Sequence, residues 1–266
     1  RTSLGRAGFH CWKEHGHGAI GLVQAIGQSC DVYFYDIARR VGIDAIAAMA
    51  RRLGLGAALG LDLPGEQPGL IPTTEWKKAA IGESWHQGET LVCGIGQGFV
   101  SATPLQVGIM GERLGSGVIG VTPWLVTPPA EPPSPLGLSP QALQVVLQGM
   151  REVVHGPRGT ARAADLGLPG VEMAGKTGTS QVRRISRAER AAGRHKRKDL
   201  PWIERDHALF VCAAPWPRAL YAVAVVVEHG MSGSKAASPI ARDIMRKTLE
   251  LDPAGAGQPA IAAGPA

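Results

Sequence analysis

Long apolar segments and cysteines are both scarce in this sequence. The longest apolar stretch is 220–227, whereas a helix needs about 20 apolar residues to cross a bilayer. Four cysteines among 266 residues are too few for a disulfide scaffold. No signal peptide is visible, but the chain begins with Arg1 rather than Met. We therefore expect a fragment, in which missing targeting signals say nothing about location.

Aromatic residues are sparse as well, which bears on the meaning of the positive charge. Aromatics make up 5% of the chain, and the net charge is +6. The segment 183–198 holds eight Lys and Arg and one Glu, so it carries +7 and the remainder of the chain −1. Because no aromatics are interleaved with these charges, we expect a solvated insertion at 181–206 and no nucleic-acid partner. Contact with anionic lipid or a partner protein is the alternative for this loop.

The length and composition indicate one main domain with subdomains. A chain of 266 residues can bury a full core, and 36 glycines with 20 prolines indicate many turns rather than general disorder. We expect this domain to occupy residues 1–252. The segment 253–266 is rich in Ala, Gly and Pro and is expected to be a disordered tail.

Helical patterns dominate the first part of the chain. Apolar periodicity predicts two helices within 19–42, which meet at Ser29-Cys30-Asp31, and a third over 44–54. Thr103-Pro104 and Ser139-Pro140 each offer a capping hydroxyl followed by a first-turn proline, so we predict helices beginning there, the second ending at 155. Three segments are expected to be irregular: 1–18, 60–98 and 127–138.

Strand patterns dominate the last part. We predict strands over 171–180, 207–214 and 219–229, joined by the basic insertion and a tight turn, and then a helix over 236–251. Such a meander is antiparallel, and the fold class is therefore α+β. A dinucleotide-binding sheet is excluded. The stretch CGIGQGF at 93–99 has Phe99 in place of the third glycine and no βαβ unit around it, so we interpret it as a glycine-rich turn.

One predicted strand carries an unusual group of residues at its end. Lys176-Thr177-Gly178-Thr179 places a charge, two hydroxyls and a glycine in a row. Glycine within a strand often marks a place where a ligand or another backbone comes close. The stretch is therefore predicted to be a binding edge.

Two motifs together resemble a known family. Lys176-Thr177-Gly178 and the distant Ser29-Cys30-Asp31 are similar to the Lys-Thr-Gly and Ser-x-Asn motifs of the penicillin-binding, active-site-serine proteins. The segments GLDLPGEQPGLIPTTEWK, GIGQGFVSATPLQ, GPRGTA, AGKTGTSQV and YAVAVVVEHG extend the resemblance over nearly the whole chain. The sequence is identified as a member of the class B penicillin-binding proteins of the elongation type, the penicillin-binding protein 2 group. Residues 1–252 would then be the C-terminal portion of a transpeptidase domain with the penicillin-binding and serine β-lactamase-like fold.

The resemblance implies acyl transfer through a serine ester, in which a nucleophile attacks the D-Ala–D-Ala bond of a stem peptide and a second peptide's amine resolves the acyl-enzyme. Lys176 would attract the substrate carboxylate, Thr177 and Thr179 would hydrogen-bond it, and Gly178 would let the peptide lie along the strand edge. The backbone N–H of Thr179 would share in stabilising the oxyanion.

The second motif departs from the family pattern. Ser29 would relay the proton toward the leaving amine and Asp31 would fix the geometry, but an aspartate, which only accepts hydrogen bonds, stands where the family usually has asparagine. The alternative is that Ser29 and Asp31 merely cap the next helix.

The nucleophile motif Ser-x-x-Lys is not found before Ser29, where the family order places it. The sequence Ser232-Gly-Ser-Lys235 matches the spacing, but it follows the last strand in a predicted glycine-rich turn, and we reject it as catalytic. The nucleophile is therefore expected upstream of this fragment. The alternatives to a transpeptidase are a serine β-lactamase or D,D-carboxypeptidase of the same fold, and a non-catalytic module that binds stem peptides.

The implied partners are peptidoglycan stem peptides, β-lactams and membrane proteins of the elongation complex, including a glycosyltransferase, at the periplasmic face of the inner membrane. No cofactor is expected for catalysis. Cys11, His17 and Cys30 offer thiolate and imidazole ligands of the kind zinc prefers, although a closed site needs a fourth. The resembling proteins can carry zinc near the active site. A buried thiol with loop histidines and a Cys11–Cys30 disulfide are the alternatives.

Overall fold

The computed structural model describes residues 2–5, 7–61, 63–119, 122–125, 134–183 and 200–252. The predicted tail at 253–266, most of the basic insertion and most of the Pro-rich segment 127–138 lie outside these residues. None of the helices in the described ranges is long and apolar enough to cross a membrane.

The first part of the chain is helical. A short hairpin, formed by β1 and β2, precedes seven helices. In chain order the elements are β1 (Thr2–Leu4), β2 (Ala7–Phe9), α1 (Leu22–Gly27), α2 (Asp31–Val41), α3 (Ile43–Arg52), α4 (Thr74–Ile81), α5 (Gln87–Cys93), α6 (Pro104–Ser116), the short strands β3 (Val118–Ile119) and β4 (Ser134–Pro135), and α7 (Pro140–His155).

The last part is an antiparallel meander with a covering helix, as predicted. Its strands are β5 (Glu172–Ser180), β6 (His207–Trp216) and β7 (Tyr221–Val227), in the order β5-β6-β7, and α8 spans Ser238–Leu251. Among the described residues, the strand β5 therefore has a neighbouring strand on one side only, and its other side is a free edge of this sheet.

The predicted helix starts are confirmed by their hydrogen bonds. The Thr103 hydroxyl accepts from the backbone N–H of Gln106 at 3.2 Å, and the Gln106 side chain returns a bond to the N–H of Thr103. The Ser139 hydroxyl accepts from the N–H of Ala142 at 3.1 Å. In both helices a proline occupies the first turn, where its missing N–H costs nothing.

Two predictions of irregular structure were wrong. The hairpin of β1 and β2 lies within 1–18, and α4 and α5 lie within 60–98. The two helices are short, but a buried ion pair joins them: Lys77 is 1% exposed, and its ammonium lies 2.6 Å from the Glu89 carboxylate. This long-range contact stabilises helices that have little periodicity of their own.

The main core lies on one face of the sheet. Phe210 and Cys212 of β6 are fully buried there against α7 and α8, which contribute Val153 and Met245. The residue between them, Val211, faces the other side of the sheet and contacts α6, which packs against β6 and β7. Because successive strand residues point to opposite faces, this alternation places the sheet between two helical layers. The sheet is thus a rigid support for whatever the free edge of β5 holds.

Candidate active site

The turn between α1 and α2 carries the first predicted motif. Ser29 has a left-handed backbone with φ of 53°, which is uncommon for a residue other than glycine. The indole N–H of Trp12 donates to the Ser29 carbonyl at 2.8 Å, and the backbone N–H of Trp12 donates to the Asp31 carboxylate at 2.8 Å. Two bonds from one residue of the N-terminal segment therefore hold this turn.

The alternative that these side chains only cap α2 is wrong. The N-cap residue is Cys30, and no side chain makes the capping bond. The Ser29 hydroxyl is instead bonded across the fold: it accepts from the ammonium of Lys176 at 2.9 Å. The structure thus brings together two motifs that lie 147 positions apart.

The ammonium of Lys176, a partly buried residue, makes contacts besides the one with Ser29. It also donates to the Thr177 carbonyl at 2.8 Å and lies 3.5 Å from the Thr177 hydroxyl. Burial lowers the pKa of Lys176 to about 8, while the negative charge of Asp31 opposes this shift. Burial of Asp31 raises the pKa of its carboxyl group. A cation whose hydrogen-bond partners are neutral hydroxyl and carbonyl oxygens is suited to an anionic group of a ligand.

Thr160 joins the two sides of the site. Its backbone N–H donates to the Gly27 carbonyl at the end of α1 at 3.2 Å, and its hydroxyl lies 3.1 Å from the Thr177 hydroxyl. Sequence reasoning quoted this residue only within the segment GPRGTA and gave it no role. A hydroxyl in an Ala/Gly-rich loop has no local signal that reveals such a contact.

Gly178 is packed by the protein's own backbone. A Cβ atom added at Gly233 would lie against the Leu209 carbonyl and 2.6 Å from the Gly178 carbonyl. Gly233 belongs to a π-helical turn, Gly233–Ala237, rather than the glycine-rich turn predicted for Ser232-Gly-Ser-Lys235. The close approach shown at Gly178 is therefore that of another chain segment, and its role toward a substrate stays a prediction.

Gln97 contacts β5 beyond the predicted motif. Its side-chain N–H donates to the Thr179 carbonyl at 2.6 Å, and its side-chain oxygen accepts from the Gln181 N–H at 3.4 Å. The stretch 93–99 is a glycine-rich turn, as predicted, in which Gly96 and Gly98 have φ of 75° and 73°. Sequence analysis assigned no function to the residue between these two glycines.

The structure also brings together the three proposed zinc ligands. One donor atom each from Cys11, His17 and Cys30 lies within 4.8 Å of the other two, and the Cys11 sulfur is 3.5 Å from His17 Nδ1. His17 Nε2 is buried and has no hydrogen-bond partner within the described residues. Burial raises the pKa of the Cys30 thiol and lowers that of His17.

These residues fit a soft divalent metal. A neutral imidazole and two sulfurs are zinc ligands, and a bound cation would offset the cost of forming a buried thiolate. All four cysteines, at 11, 30, 93 and 212, are free thiols in the structure, so no Cys11–Cys30 disulfide is formed there. The fourth ligand is not identified in the described part of the chain.

Comparison with known proteins identifies the family. Residues 2–246 match the family model for the penicillin binding protein transpeptidase domain. The chain belongs to this family. The resemblance predicted from the two motifs is therefore confirmed, and with it the placement of Lys176 on a strand of a transpeptidase domain.

Several curated relatives of this transpeptidase domain share the name MrdA. The chain is 36% identical over 248 residues to the peptidoglycan D,D-transpeptidase MrdA of Haemophilus influenzae, covering 89% of this chain and 37% of that protein. The MrdA of Acinetobacter baumannii is 35% identical, over 86% of this chain and 34% of the relative. The chain thus spans about a third of the length of these relatives.

Solved structures of penicillin-binding proteins share the fold. Pseudomonas aeruginosa PBP2 in complex with WCK 5153 matches with a TM-score of 0.80 and 38% identity, over 99% of this chain and 57% of that one. Helicobacter pylori PBP2 in complex with MreC matches with a TM-score of 0.80 and 32% identity, over 94% and 44%. The predicted α+β transpeptidase fold is confirmed.

Proposed function

We propose that the protein is a peptidoglycan D,D-transpeptidase that cross-links stem peptides during cell-wall elongation, and that this chain supplies the proton-relay and carboxylate-binding parts of its site. One observation carries the proposal: the ammonium of Lys176 donates to the Ser29 hydroxyl at 2.9 Å. This contact couples the cation that would anchor a substrate to the hydroxyl that would move a proton.

In the reaction, a serine oxygen from a Ser-x-x-Lys motif outside this chain attacks the carbonyl of the penultimate D-Ala. The C–N bond to the last D-Ala breaks, and the proton lost by the serine passes through Ser29 to the leaving amine. The amine of a second stem peptide then attacks the ester and forms the new amide bond; the ester C–O bond breaks, and the proton lost by the amine returns to the serine oxygen.

The residues of this chain contribute mainly by position and charge. Lys176 with the Thr177 and Thr179 hydroxyls would hold the terminal carboxylate of the stem peptide. The Thr179 N–H would donate to the oxyanion of the tetrahedral intermediate. Asp31 holds the turn through Trp12 and favours the charged form of Lys176. Thr160 keeps the Thr177 hydroxyl in place by a 3.1 Å contact.

Acylation by a fluorescent penicillin tests this function. In the full-length protein, Lys176→Ala should lower the second-order acylation rate by roughly a hundredfold or more, because an anchoring charge is lost. The matched control is Lys235→Ala in the rejected Ser-x-x-Lys sequence, where Lys235 is exposed and no change is expected. An unaltered rate in Lys176→Ala would show that the strand motif is only structural.

The chain 1–266 tested alone should form no stable adduct, because its nucleophile is expected outside it. Labelling of this chain would overturn that placement of the nucleophile. Hydrolysis of penicillin with rapid turnover by the full-length protein would favour a β-lactamase, and release of free D-Ala without cross-linking would favour a carboxypeptidase. Binding of stem peptides without any adduct would favour a binding module.

The proposal includes a cellular setting and partners for the enzyme. We place it at the periplasmic face of the bacterial inner membrane, where stem peptides and β-lactams are accessible. The similar Helicobacter pylori PBP2 was solved in complex with MreC, and a further similar structure is a peptidoglycan synthase complex. Membrane proteins of an elongation complex, including a glycosyltransferase, are therefore the proposed partners.

A structural zinc ion held by Cys11, His17 and Cys30 is part of the proposal. The donor atoms that cluster within 4.8 Å support it, together with the unpartnered His17 Nε2. Because Cys30 separates Ser29 from Asp31, the metal would hold the catalytic turn to the N-terminal segment and take no part in the chemistry.

Elemental analysis of the purified full-length protein tests the zinc proposal. Wild type should contain about one zinc per chain, and Cys30→Ser should lose both metal and thermal stability. Cys93→Ser is the matched control, since Cys93 is also buried but lies outside the cluster. Absence of stoichiometric zinc in wild type would end the proposal.

A further inference from the structure

The free edge of β5 presents a defined series of backbone groups. Alternate residues of a strand direct their N–H and C=O to alternate sides. Three such groups make bonds outside the sheet: the Thr177 carbonyl with Lys176, the Thr179 carbonyl with Gln97, and the Gln181 N–H with Gln97. Residues 177, 179 and 181 therefore face the edge to which an extended peptide would add.

The Gln97 side chain imitates the N–H and C=O that one residue of an added strand would present to β5. In a parallel pair, one residue donates to a carbonyl and accepts from the N–H two residues further along the neighbouring strand. The Gln97 amide does this with Thr179 at 2.6 Å and Gln181 at 3.4 Å. Its amide thus lies where the N–H and C=O of such a residue would lie, and the two cannot be present together.

The turn that carries Gln97 fixes its backbone but not its side chain. The backbone N–H of Gln97 donates to the Val92 carbonyl at 3.2 Å, and Gly96 and Gly98 on either side adopt left-handed conformations. The side chain itself is partly exposed, and its two bonds are between neutral groups. Such bonds contribute little net stability, so a ligand can replace them.

We propose that Gln97 closes the free edge of β5 in the unliganded protein and is displaced when a ligand backbone pairs with Thr179. Gln97 is then a residue that determines specificity: it lowers the apparent affinity for every ligand that needs the Thr179 carbonyl, and it leaves other ligands unaffected. This inference rests on the proposed function, because it concerns the ligands of the same cleft.

Two classes of β-lactam distinguish ligands that pair with the Thr179 carbonyl from ligands that do not. Benzylpenicillin carries an acylamino N–H that can pair with a strand carbonyl, whereas imipenem has no such group. In the full-length protein, Gln97→Met removes both bonds at nearly constant side-chain length. We expect the second-order acylation rate with benzylpenicillin to rise roughly two- to tenfold, which corresponds to the net free energy of one neutral hydrogen bond. The rate with imipenem should stay constant.

A second variant and a control sharpen the test. Gln97→Glu keeps an acceptor for the Gln181 N–H but has no donor for Thr179, so it should also raise the ratio of the two rates. Gln144→Met, at an exposed position on α7, should change neither rate. A ratio unchanged in both Gln97 variants, or a fall in both rates, would overturn the inference; a fall would show that Gln97 supports β5 instead.

The failure of the inference is distinguishable from that of the proposed function. If wild type reacts with neither β-lactam, the proposed function and the inference about Gln97 are both wrong. If wild type reacts, Lys176→Ala does not, and the Gln97 variants keep the wild-type ratio of the two rates, only the inference about Gln97 is wrong.

Discussion

The two sides of the cleft are held in place in different ways. Lys176 lies on a strand that pairs with β6 from Ala174 to Ser180, and the sheet behind it rests on a buried core. Ser29 lies in a strained turn between two helices, held by Trp12, whose side chain is 61% exposed. The strand side is therefore fixed by backbone pairing within the sheet, whereas the Ser29 turn, although α1 packs on the same core, also depends on polar contacts that can be changed one at a time.

The largest expected effect is a loss of stability in the sheet that carries the strand side of the site. Phe210 is fully buried in β6, and a Cβ atom added at Gly175, next to Lys176, would lie 2.6 Å from its ring. Phe210→Ala should lower the free energy of unfolding by about 3–5 kcal/mol, because burial is lost and a cavity forms. Urea unfolding of the full-length protein measures it. The control is Ile203→Ala, at a position 68% exposed, which should cost less than about 0.5 kcal/mol; equal costs would contradict this account of the core.

The next effect concerns the charge on the strand side. Because burial lowers the pKa of Lys176 to about 8 from 10.5, the unfolded chain binds more protons between these values. The stability contributed by this group therefore rises with pH across that window, while the charge that we propose anchors a carboxylate is lost. Acylation should fall roughly fivefold from about pH 8 to about pH 9.

The pH dependence is measured as the second-order acylation rate of the full-length protein. Lys176→Arg is the control, since a guanidinium stays charged throughout this range. Its profile should lack the fall above about pH 8, whatever its absolute rate. An identical fall in both proteins would assign the titration to another group.

The smallest effect tests the helical side alone. Trp12→Phe removes the indole N–H that donates to the Ser29 carbonyl at 2.8 Å, and it keeps an aromatic ring and the backbone bond to Asp31. Acylation should fall roughly three- to tenfold, with stability lowered by less than about 1 kcal/mol. Trp202→Phe, at another exposed tryptophan, is the control. A loss of stability as large as that of Phe210→Ala would remove the contrast between the two sides.

Sequence reasoning succeeded where a local pattern determines the structure. The strand β7 follows from an apolar run rich in β-branched residues, and the starts of α6 and α7 follow from Thr103 and Ser139 before prolines. The pairing of Ser29 with Lys176 was expected only through resemblance to a family. No periodicity links residues so far apart.

Sequence reasoning missed the helices and site residues that depend on long-range polar contacts. The helices α4 and α5 rely on the buried Lys77–Glu89 pair, and neither residue type indicates burial by itself. Trp12, Gln97 and Thr160 each contact the motif residues from distant loops. Such contacts depend on the finished fold, and they leave no trace in spacing or composition.

The close approach of Gly233 to Gly178 has a consequence for amino-acid substitutions at position 233. A single methyl group at Gly233 would lie 2.6 Å from the Gly178 carbonyl, so the substitution must shift either the turn or the strand that carries the motif. Position 233 is thus a place where a mutation outside the Ser29 and Lys176 motifs reaches the strand that carries Lys176. Surveys of natural variants that read only the motifs would overlook it.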